Sequence, residues 1–533
     1  MGRCPRAGTG NCCLRTTLQR CRRLAAACKT LAARHPGKTI TLNGNGLTGM
    51  LAGEEMLILK PSASTQLRLV IWKIPARDEG MRTPVLTALT SQTPMDEITV
   101  CGWVRTRRDA KSFSFLEIND GSCLRGIQAV IDAGIPGSGG LAQMTTGASV
   151  EVTGRLVASQ GAGQSWEVQA TRVTLLGPAD DTYPLQKKGH TLEFLREIAH
   201  LRPRSNLFGA AFRVRSRMAY AVHNFFQERG FVNVHTPMIT ASDCEGAGEM
   251  FRVTTLPPGS AAKPEEDFFG KPAYLTVSGQ LQAETLACAL GKVYTFGPTF
   301  RAENSNTSRH AAEFWMIEPE QAFCDLSGNM DLAEAQLKHQ VRDALEHCTE
   351  DLAFFSKYVD KGLVERLKFV AERPFQRVSY TEAVQLLEQS GVTFEYPVQY
   401  GLNLQSGHER WLTEQHFQCP VIVFNYPKEI KPFYMRQNED GLTVAAMDVL
   451  VPGIGEIIGG SQREERPERL AAAMAHHGLS EADYWWYADL RKYGTVPHAG
   501  YGMGFERLLM FVTGLSNIRD VIPFARTPGH AGF

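Results

Sequence analysis

The sequence predicts an α+β fold: a small β-barrel of the OB type, then a larger domain that mixes long helices with strands, among them a hairpin. Three observations predict it. Five short segments of alternating polarity follow one another within about 80 residues after Ile98, with no long helix among them. Between Leu207 and Phe225 the apolar residues Leu207, Ala211, Val214, Met218, Ala221 and Phe225 step by 4, 3, 4, 3 and 4, the stripe of an amphipathic helix. From Thr295 to Phe323 two strand-like runs bracket a polar loop, the pattern of a hairpin.

The chain of 533 residues opens with a basic segment. Residues 1–80 hold 13 Lys+Arg against 4 Asp+Glu, so the totals of 56 and 56 leave 43 against 52 for the remainder. No acidic residue precedes Glu54, and Arg3, Arg6, Arg15, Arg20, Arg22 and Arg23 recur, as in an organellar transit peptide. Such peptides are Ser-rich, however, and the first serine is Ser62. Residues 1–96 are therefore read as a basic, Cys-containing, poorly ordered extension, with the working protein beginning near Met81. The expected location is the cytoplasm, or a mitochondrial or plastid matrix if residues 1–80 are a transit peptide. Five of the 12 cysteines lie in this extension; the other seven are scattered, with no C-x-x-C pair, which points to reduced thiols and no structural zinc.

Residues 97–180 form the expected barrel. Ile98–Val104 alternates and then turns basic at Arg105, Arg107, Arg108 and Lys111; the next strand, Ser112–Ile118, ends at the turn Asn119-Asp120-Gly121. Further strands are expected at Gly126–Ile131, Ser149–Val157 and Trp166–Leu175. Period 2 places Phe113, Phe115 and Glu117 on one face of the second strand and Leu116 and Ile118 on the other. Either the phenylalanines are core, or they point outward beside the basic cluster, where single-stranded bases stack on aromatic rings.

A polar hinge is expected at 181–200, and residues 201–533 form the larger domain. Its first helix, from Asn206 to about Arg229, ends at Gly230 and feeds a strand at Phe231–His235 that stops at Thr236-Pro237. A largely helical insertion is expected at about 325–420, strands at Pro420–Phe424 and Pro432–Arg436, and a last helix from near Glu506.

Composition excludes several function classes. Zero net charge excludes a purely electrostatic nucleic-acid binder, and no apolar run approaches the ~18–20 residues of a membrane span. There is no P-loop, no G-x-G-x-x-G and no H-E-x-x-H. Three clusters carry chemistry instead. In the hairpin, Arg301 and Glu303 lie two apart on one strand face, Arg309 and His310 sit in the loop, and Phe314 opens the return strand. Either the guanidinium grips phosphate in two parallel hydrogen bonds and the ring stacks on a purine, or Arg301 and Glu303 make a surface salt bridge with Phe314 in the core. Asp448 and Glu456 flank a glycine-containing bend, a pairing suited to magnesium on a polyphosphate. In Gly500-Tyr-Gly-Met-Gly-Phe-Glu-Arg507, glycines lead into a helix whose first turn carries an arginine.

These segments resemble the conserved motifs of class II aminoacyl-tRNA synthetases, and the barrel is similar to that of the aspartyl, asparaginyl and lysyl subgroup. Within it, SDCEGAGEMF, TVSGQL, FRAENSNTSRHAAEFW and GEIIGGSQREER resemble the bacterial-type asparaginyl enzymes, from about residue 97 to Phe533. The resemblance implies a dimeric class II domain, with an antiparallel sheet flanked by helices, that ligates L-asparagine to tRNA(Asn) at the expense of ATP, with Mg2+ as cofactor and neither membrane nor DNA as partner. It implies that Arg301 holds the α-phosphate, Glu303 the adenosine end, Arg309 and His310 the outer phosphates, and Phe314 the adenine ring. Arg507 would cover the opposite face of that ring, with Asp448 and Glu456 on magnesium. Arg301, Glu303 and Arg507 would be catalytic. Phe115 and Gln128, with Arg107, would read the anticodon.

For the amino acid, the resemblance implies Glu245, Gln280, Glu284 and Arg463. Ser278–Glu284 is read as a strand with Ala283 where aspartate enzymes carry lysine, so Glu284 accepts from the substrate amide while Arg463 donates to its oxygen. Aspartate would set like charges together, at several kcal/mol. The alternatives are an aspartyl or Asp/Asn-relaxed synthetase, and a non-catalytic RNA-binding paralogue.

Overall fold

Strands β5 (Met95–Asp109), β6 (Phe113–Asn119), β7 (Ile127–Asp132), β8 (Ser149–Ala158) and β9 (Trp166–Gly177) close into a barrel in the order β5-β6-β7-β9-β8. The computed structural model describes residues 82–161, 163–244 and 249–533 in full. It also describes the backbone of four strands before them: β1 (Thr41–Asn43), β2 (Leu51–Ala52), β3 (Glu55–Pro61) and β4 (Gln66–Lys73), a separate sheet in the order β1-β4-β3-β2. The reading of residues 1–96 as a poorly ordered extension is corrected at its C-terminal end, where the chain from Arg82 packs on the barrel. The short helix Val85–Leu89 buries Val85 and Ala88 in the barrel core, and the indole of Trp166 donates to the Ser91 carbonyl at 2.9 Å. An apolar plug stabilises a barrel that is too small to fill itself.

Barrel patterning follows period 2. Leu116 and Ile118 are fully buried and Phe113 and Phe115 face outward, so the phenylalanines are not barrel core. Strand β5 runs five residues past Val104, bent by an irregularity between Val104 and Thr106, so the basic cluster rides on a strand.

The expected hinge contains one short helix. Leu192–Glu197 is capped by Thr191, and Arg196 makes a two-pronged ion pair with Asp520 at 2.6 Å, which ties residues 192–197 to the larger domain. Helix Asn206–Glu228 follows the expected stripe: Ala211, Val214, Met218, Ala221 and Phe225 are buried. It packs beside an eight-stranded sheet built from β10 (Val232–Asn233), β14 (Lys292–Phe300), β15 (Glu313–Ala322), β16 (Gln376–Ser379), β17 (Val421–Pro427), β18 (Thr443–Val451), β19 (Gly455–Gln462) and β20 (His498–Gly504). Their order is β10-β14-β15-β20-β19-β18-β17-β16, antiparallel except for the parallel edge strands β10 and β16. A smaller sheet pairs β11 (Ile239–Thr240) and β12 (Arg252–Val253) with β13 (Ala273–Leu275).

Three local expectations are corrected. Residues 278–284 are not a strand: Gly279 precedes a helix, Gln280–Leu290. Residues 432–436 form a turn held by an isolated bridge from Met435 to Arg463, since Pro432 has no N–H to enter a ladder. The 325–420 segment is helical, but its first helix, Leu326–His347, belongs to the main core, with Met330, Ala333, Leu337, Val341 and Ala344 buried there.

Candidate active site

Two clefts open side by side over the middle of the sheet. Arg301, Glu303, Arg309, His310, Phe314, Glu456 and Arg507 line the first; Ser278, Gln280, Glu318, Glu320, Tyr434 and Arg463 line the second. Both share Arg301, Met316, Glu456 and Gly502, so the two spaces meet at the Arg301 guanidinium.

In the first cleft, β14 stops at Phe300. Arg301 and Glu303 lie in the loop beyond it rather than on one strand face, although the Arg301 N–H still donates to Ala312 at 3.0 Å. The guanidinium lies 4.0 Å from the Glu303 carboxylate and 5.5 Å from the Phe314 ring centre. Arg309 donates to the Ser406 hydroxyl at 3.1 Å; burial lowers its pKa, with the charges of Arg410 and Arg507 adding to the effect. His310 Nδ1 is shared by the hydroxyls of Ser305 and Thr307. Arg507, in the first turn of helix Phe505–Thr513, donates to the Glu456 carbonyl at 3.1 Å and reaches its carboxylate at 3.4 Å.

Asp448 and Glu456 converge on Gly459. A Cβ at that glycine would stand 3.4 Å from Asp448 Oδ1 and 3.1 Å from Glu456 Oε1. Lys431 pairs with Asp448 at 2.9 Å, and burial raises the Asp448 carboxyl against that pull. Behind them Glu409 accepts from the Glu456 N–H at 3.2 Å; burial, with the neighbouring Glu456 charge, pushes Glu409 up to about 7. Among the described residues no cluster of three His, Cys, Asp or Glu could hold a metal unaided. Glu456 lines both clefts and Asp448 the second; a pair of carboxylates at that junction suits Mg2+, which keeps several waters and takes further oxygens from phosphates.

In the second cleft Arg463 is buried with its fork on Glu320, Nε at 3.2 Å, while its Nη1 donates to Ser461 at 3.0 Å. Burial pushes the Glu320 carboxyl upward against the pull of Arg463. Gly500 makes room for it: a Cβ there would lie 2.2 Å from the Glu320 carboxyl carbon. Glu318 accepts from Ser278, from the Gly279 N–H at 3.1 Å and from Thr295 at 3.1 Å. Glu284 is not on the wall. Its carboxylate lies one layer behind, accepting from Gln280 at 3.1 Å, with Arg463 3.9 Å away.

Residues 192–528 match the family model for class II tRNA synthetases (D, K and N), and residues 98–176 match that for the OB-fold nucleic acid binding domain. The chain belongs to the class II tRNA synthetases. Asparagine–tRNA ligase of Nitratidesulfovibrio vulgaris (strain DP4) is 64% identical over 459 residues, spanning 85% of this chain and 100% of that protein. The enzyme of the same name from Salmonella choleraesuis is 59% identical over 462 residues, 84% of this chain and 99% of its own. Among solved structures, asparaginyl-tRNA synthetase from Pyrococcus horikoshii, complexed with asparaginyl-adenylate, superposes with a TM-score of 0.75 at 32% identity, covering 85% of this chain and 99% of that one.

On the barrel of this synthetase, Phe115 stands beside Phe113, ring centres 5.0 Å apart, and Arg108 lies 5.5 Å from the Phe115 ring. Arg108 also donates to Gln128 at 3.0 Å, which donates to Glu167 at 3.3 Å. Arg107 does not join this face: it bonds the Leu141 carbonyl and pairs with Asp109 at 3.3 Å, because its strand position, opposite Leu116, points the other way. Glu245 lies outside the described residues. Ala283 packs against Ala287 and Val293 and lines neither cleft. Sequence reasoning missed Glu318, Glu320, Lys431 and Glu409. The run Glu318-Pro-Glu320 carried a signal, since two carboxylates two apart share one face of a strand otherwise built of apolar residues.

Proposed function

We propose that this synthetase is an asparagine–tRNA ligase: it activates L-asparagine with ATP to asparaginyl-adenylate, then passes the aminoacyl group to the 3′ end of tRNA(Asn). The observation that carries it is the 64% identity to asparagine–tRNA ligase along that protein's full length. The meeting of the two clefts at Arg301 supports it, because activation needs an amino-acid carboxylate beside an α-phosphate.

ATP occupies the first cleft, adenine on Phe314 and phosphates toward Arg309, His310 and Arg507. Asparagine occupies the second, its side-chain amide toward Arg463. One carboxylate oxygen attacks the α-phosphorus in line; the bond from that phosphorus to the bridging oxygen breaks, and pyrophosphate leaves with the electron pair. Arg301 neutralises charge developing on the α-phosphoryl oxygens, so the protein contributes position and compensating charge. Mg2+, held by Asp448 and Glu456, would supply further charge neutralisation at the phosphates. The tRNA 3′-hydroxyl then displaces AMP. Phe115, Gln128 and Arg108 form the face offered to the anticodon.

A homodimer is part of the proposal. Edge strand β10 is two residues long, and Val232, Leu290 and Phe323 are exposed at the same end of the sheet, where Val232 pairs with Val293 and Ala322 donates to Gly291. Such a patch at an edge fits a second copy.

ATP–pyrophosphate exchange tests the reading. Exchange with asparagine and not aspartate is expected. Equal exchange with both would leave a relaxed enzyme, and exchange with neither would leave an RNA-binding protein.

A further inference from the structure

Behind the amino-acid cleft the structure holds a buried polar network that the activation chemistry does not use. Glu284 is wholly buried, yet its Oε2 has three donors: the Tyr487 hydroxyl at 2.8 Å, an Arg491 N–H at 3.1 Å and His498 Nε2 at 2.9 Å. The other nitrogen of His498 lies 2.9 Å from the Val496 carbonyl. Each ring nitrogen of His498 thus lies within hydrogen-bond distance of an oxygen, which fixes the ring against Glu284. Arg491 is itself buried, with its Nε on the Glu464 carbonyl at 2.8 Å and an Nη on the Tyr487 hydroxyl at 2.9 Å. Oε1 of Glu284 is left toward the cleft, where its neighbours are Gln280 and Arg463, both wall residues.

We infer that Tyr487, Arg491 and His498 are positioning residues for substrate selection: by gathering on one oxygen of Glu284 they keep that carboxylate charged one layer behind the cleft, and the fixed charge sets amide against carboxylate at Arg463. The inference deepens the asparagine reading and rests on it. A buried carboxylate without partners takes up a proton. Here burial favours protonation, but the His498 and Arg491 contacts outweigh it and hold the Glu284 carboxyl well below its ordinary range. Arg463 consequently lies near two carboxyls, Glu320 in its fork, which burial pushes upward, and Glu284 behind, whose fixed charge opposes a second one from aspartate. An amide brings no charge and offers its oxygen to the guanidinium. With the backing removed, Glu284 becomes neutral, the repulsion of aspartate falls, and Arg463 loses part of its restraint.

The test compares Arg491→Met, Arg491→Lys and Tyr487→Phe with the parent full-length enzyme in ATP–pyrophosphate exchange, measuring kcat and KM for asparagine, aspartate and ATP. Arg491→Met is expected to raise the KM for asparagine and narrow the asparagine-over-aspartate ratio of kcat/KM by ~10-fold or more, with the KM for ATP within about twofold. Arg491→Lys should restore part of the ratio and Tyr487→Phe should narrow it less. A general structural defect would lower kcat and leave the ratio where it was. An unchanged ratio in folded Arg491→Met overturns the inference; if that variant does not fold, an unchanged ratio in Tyr487→Phe does so. Failure of the asparagine reading shows separately, as absence of asparagine-dependent exchange in the parent enzyme.

Discussion

Arg301 stands where the two clefts join, and its chemistry is the most exposed to a single substitution. Arg301→Ala removes the charge that faces the α-phosphate and should lower exchange by about 10²–10³-fold, while tRNA binding, measured by filter retention, stays within about twofold because the barrel face is distant in sequence and independently folded around its own core. Cysteines offer a second residue-scale check. Burial, with Asp351 and Asp343 nearby, pushes the Cys348 thiol up to about 12, so at pH 8 almost none is thiolate. Mass-mapped alkylation of the native enzyme at that pH should leave Cys348 unmodified while exposed Cys288 is labelled. At this scale the sequence was a partial guide. Arg301, Arg309, His310, Phe314 and Arg507 fall on one cleft because motif spacing carries them there. Glu284 was legible as a charge facing the substrate problem, but not as a residue one layer back: depth behind a wall is set by helix Gln280–Leu290, which a seven-residue window ending at Glu284 is too short to reveal. Lys431 and Glu409 reach the strand carboxylates from a turn and a short helix, and no local spacing announces a partner brought in by tertiary packing.

Helix Asn206–Glu228 was legible almost to the residue because its stripe is long and Gly230 marks its end; the structure adds Ser205 as the cap at its start. What period alone could not reveal is how its polar face is used. Arg213 pairs with Asp351, Arg217 with Asp343, and between them Arg215 reaches Glu506 at 2.9 Å. Glu506 is buried and also accepts from the Trp315 N–H at 2.9 Å, so it fastens the last helix to strand β15. Arg215→Ala would strand that carboxylate without its counter-ion and should cost about 3–5 kcal/mol, read as a lowered denaturant midpoint with an unchanged slope. By contrast, Pro432–Arg436 resembled a strand because its residues are apolar and aromatic, yet Pro432 has no N–H to donate and the chain turns there. Short apolar runs leave that choice to tertiary context.

The boundary between extension and working protein is a property of the whole molecule. Relatives matched over their full length span 85% of this chain, and the barrel core already includes Val85 and Ala88. A chain starting at Arg82 should therefore keep its exchange rate and its melting profile. One starting at Met95 leaves a hole in the barrel core and should lose about 2–4 kcal/mol of barrel stability, visible as an earlier calorimetric transition. The split into barrel and larger domain was readable from period 2 giving way to period 3.6; the seam was not, since the short helix 192–197 is held by Leu195 in a small core and by Arg196 on Asp520, far along the chain.

Strand β20 is the last of the sheet to be synthesised, yet it lies between β15 and β19. On the ribosome the barrel can close early, whereas the two halves of the larger sheet wait with open edges until residues 498–504 emerge and slot between them. A product broken off before that point has no junction of the clefts and presents two unpaired strand edges, the kind of surface that chaperones and proteases capture. The strand order thus makes residues 498–504 a condition for closing the sheet, and with it the wall that both clefts share at Gly502.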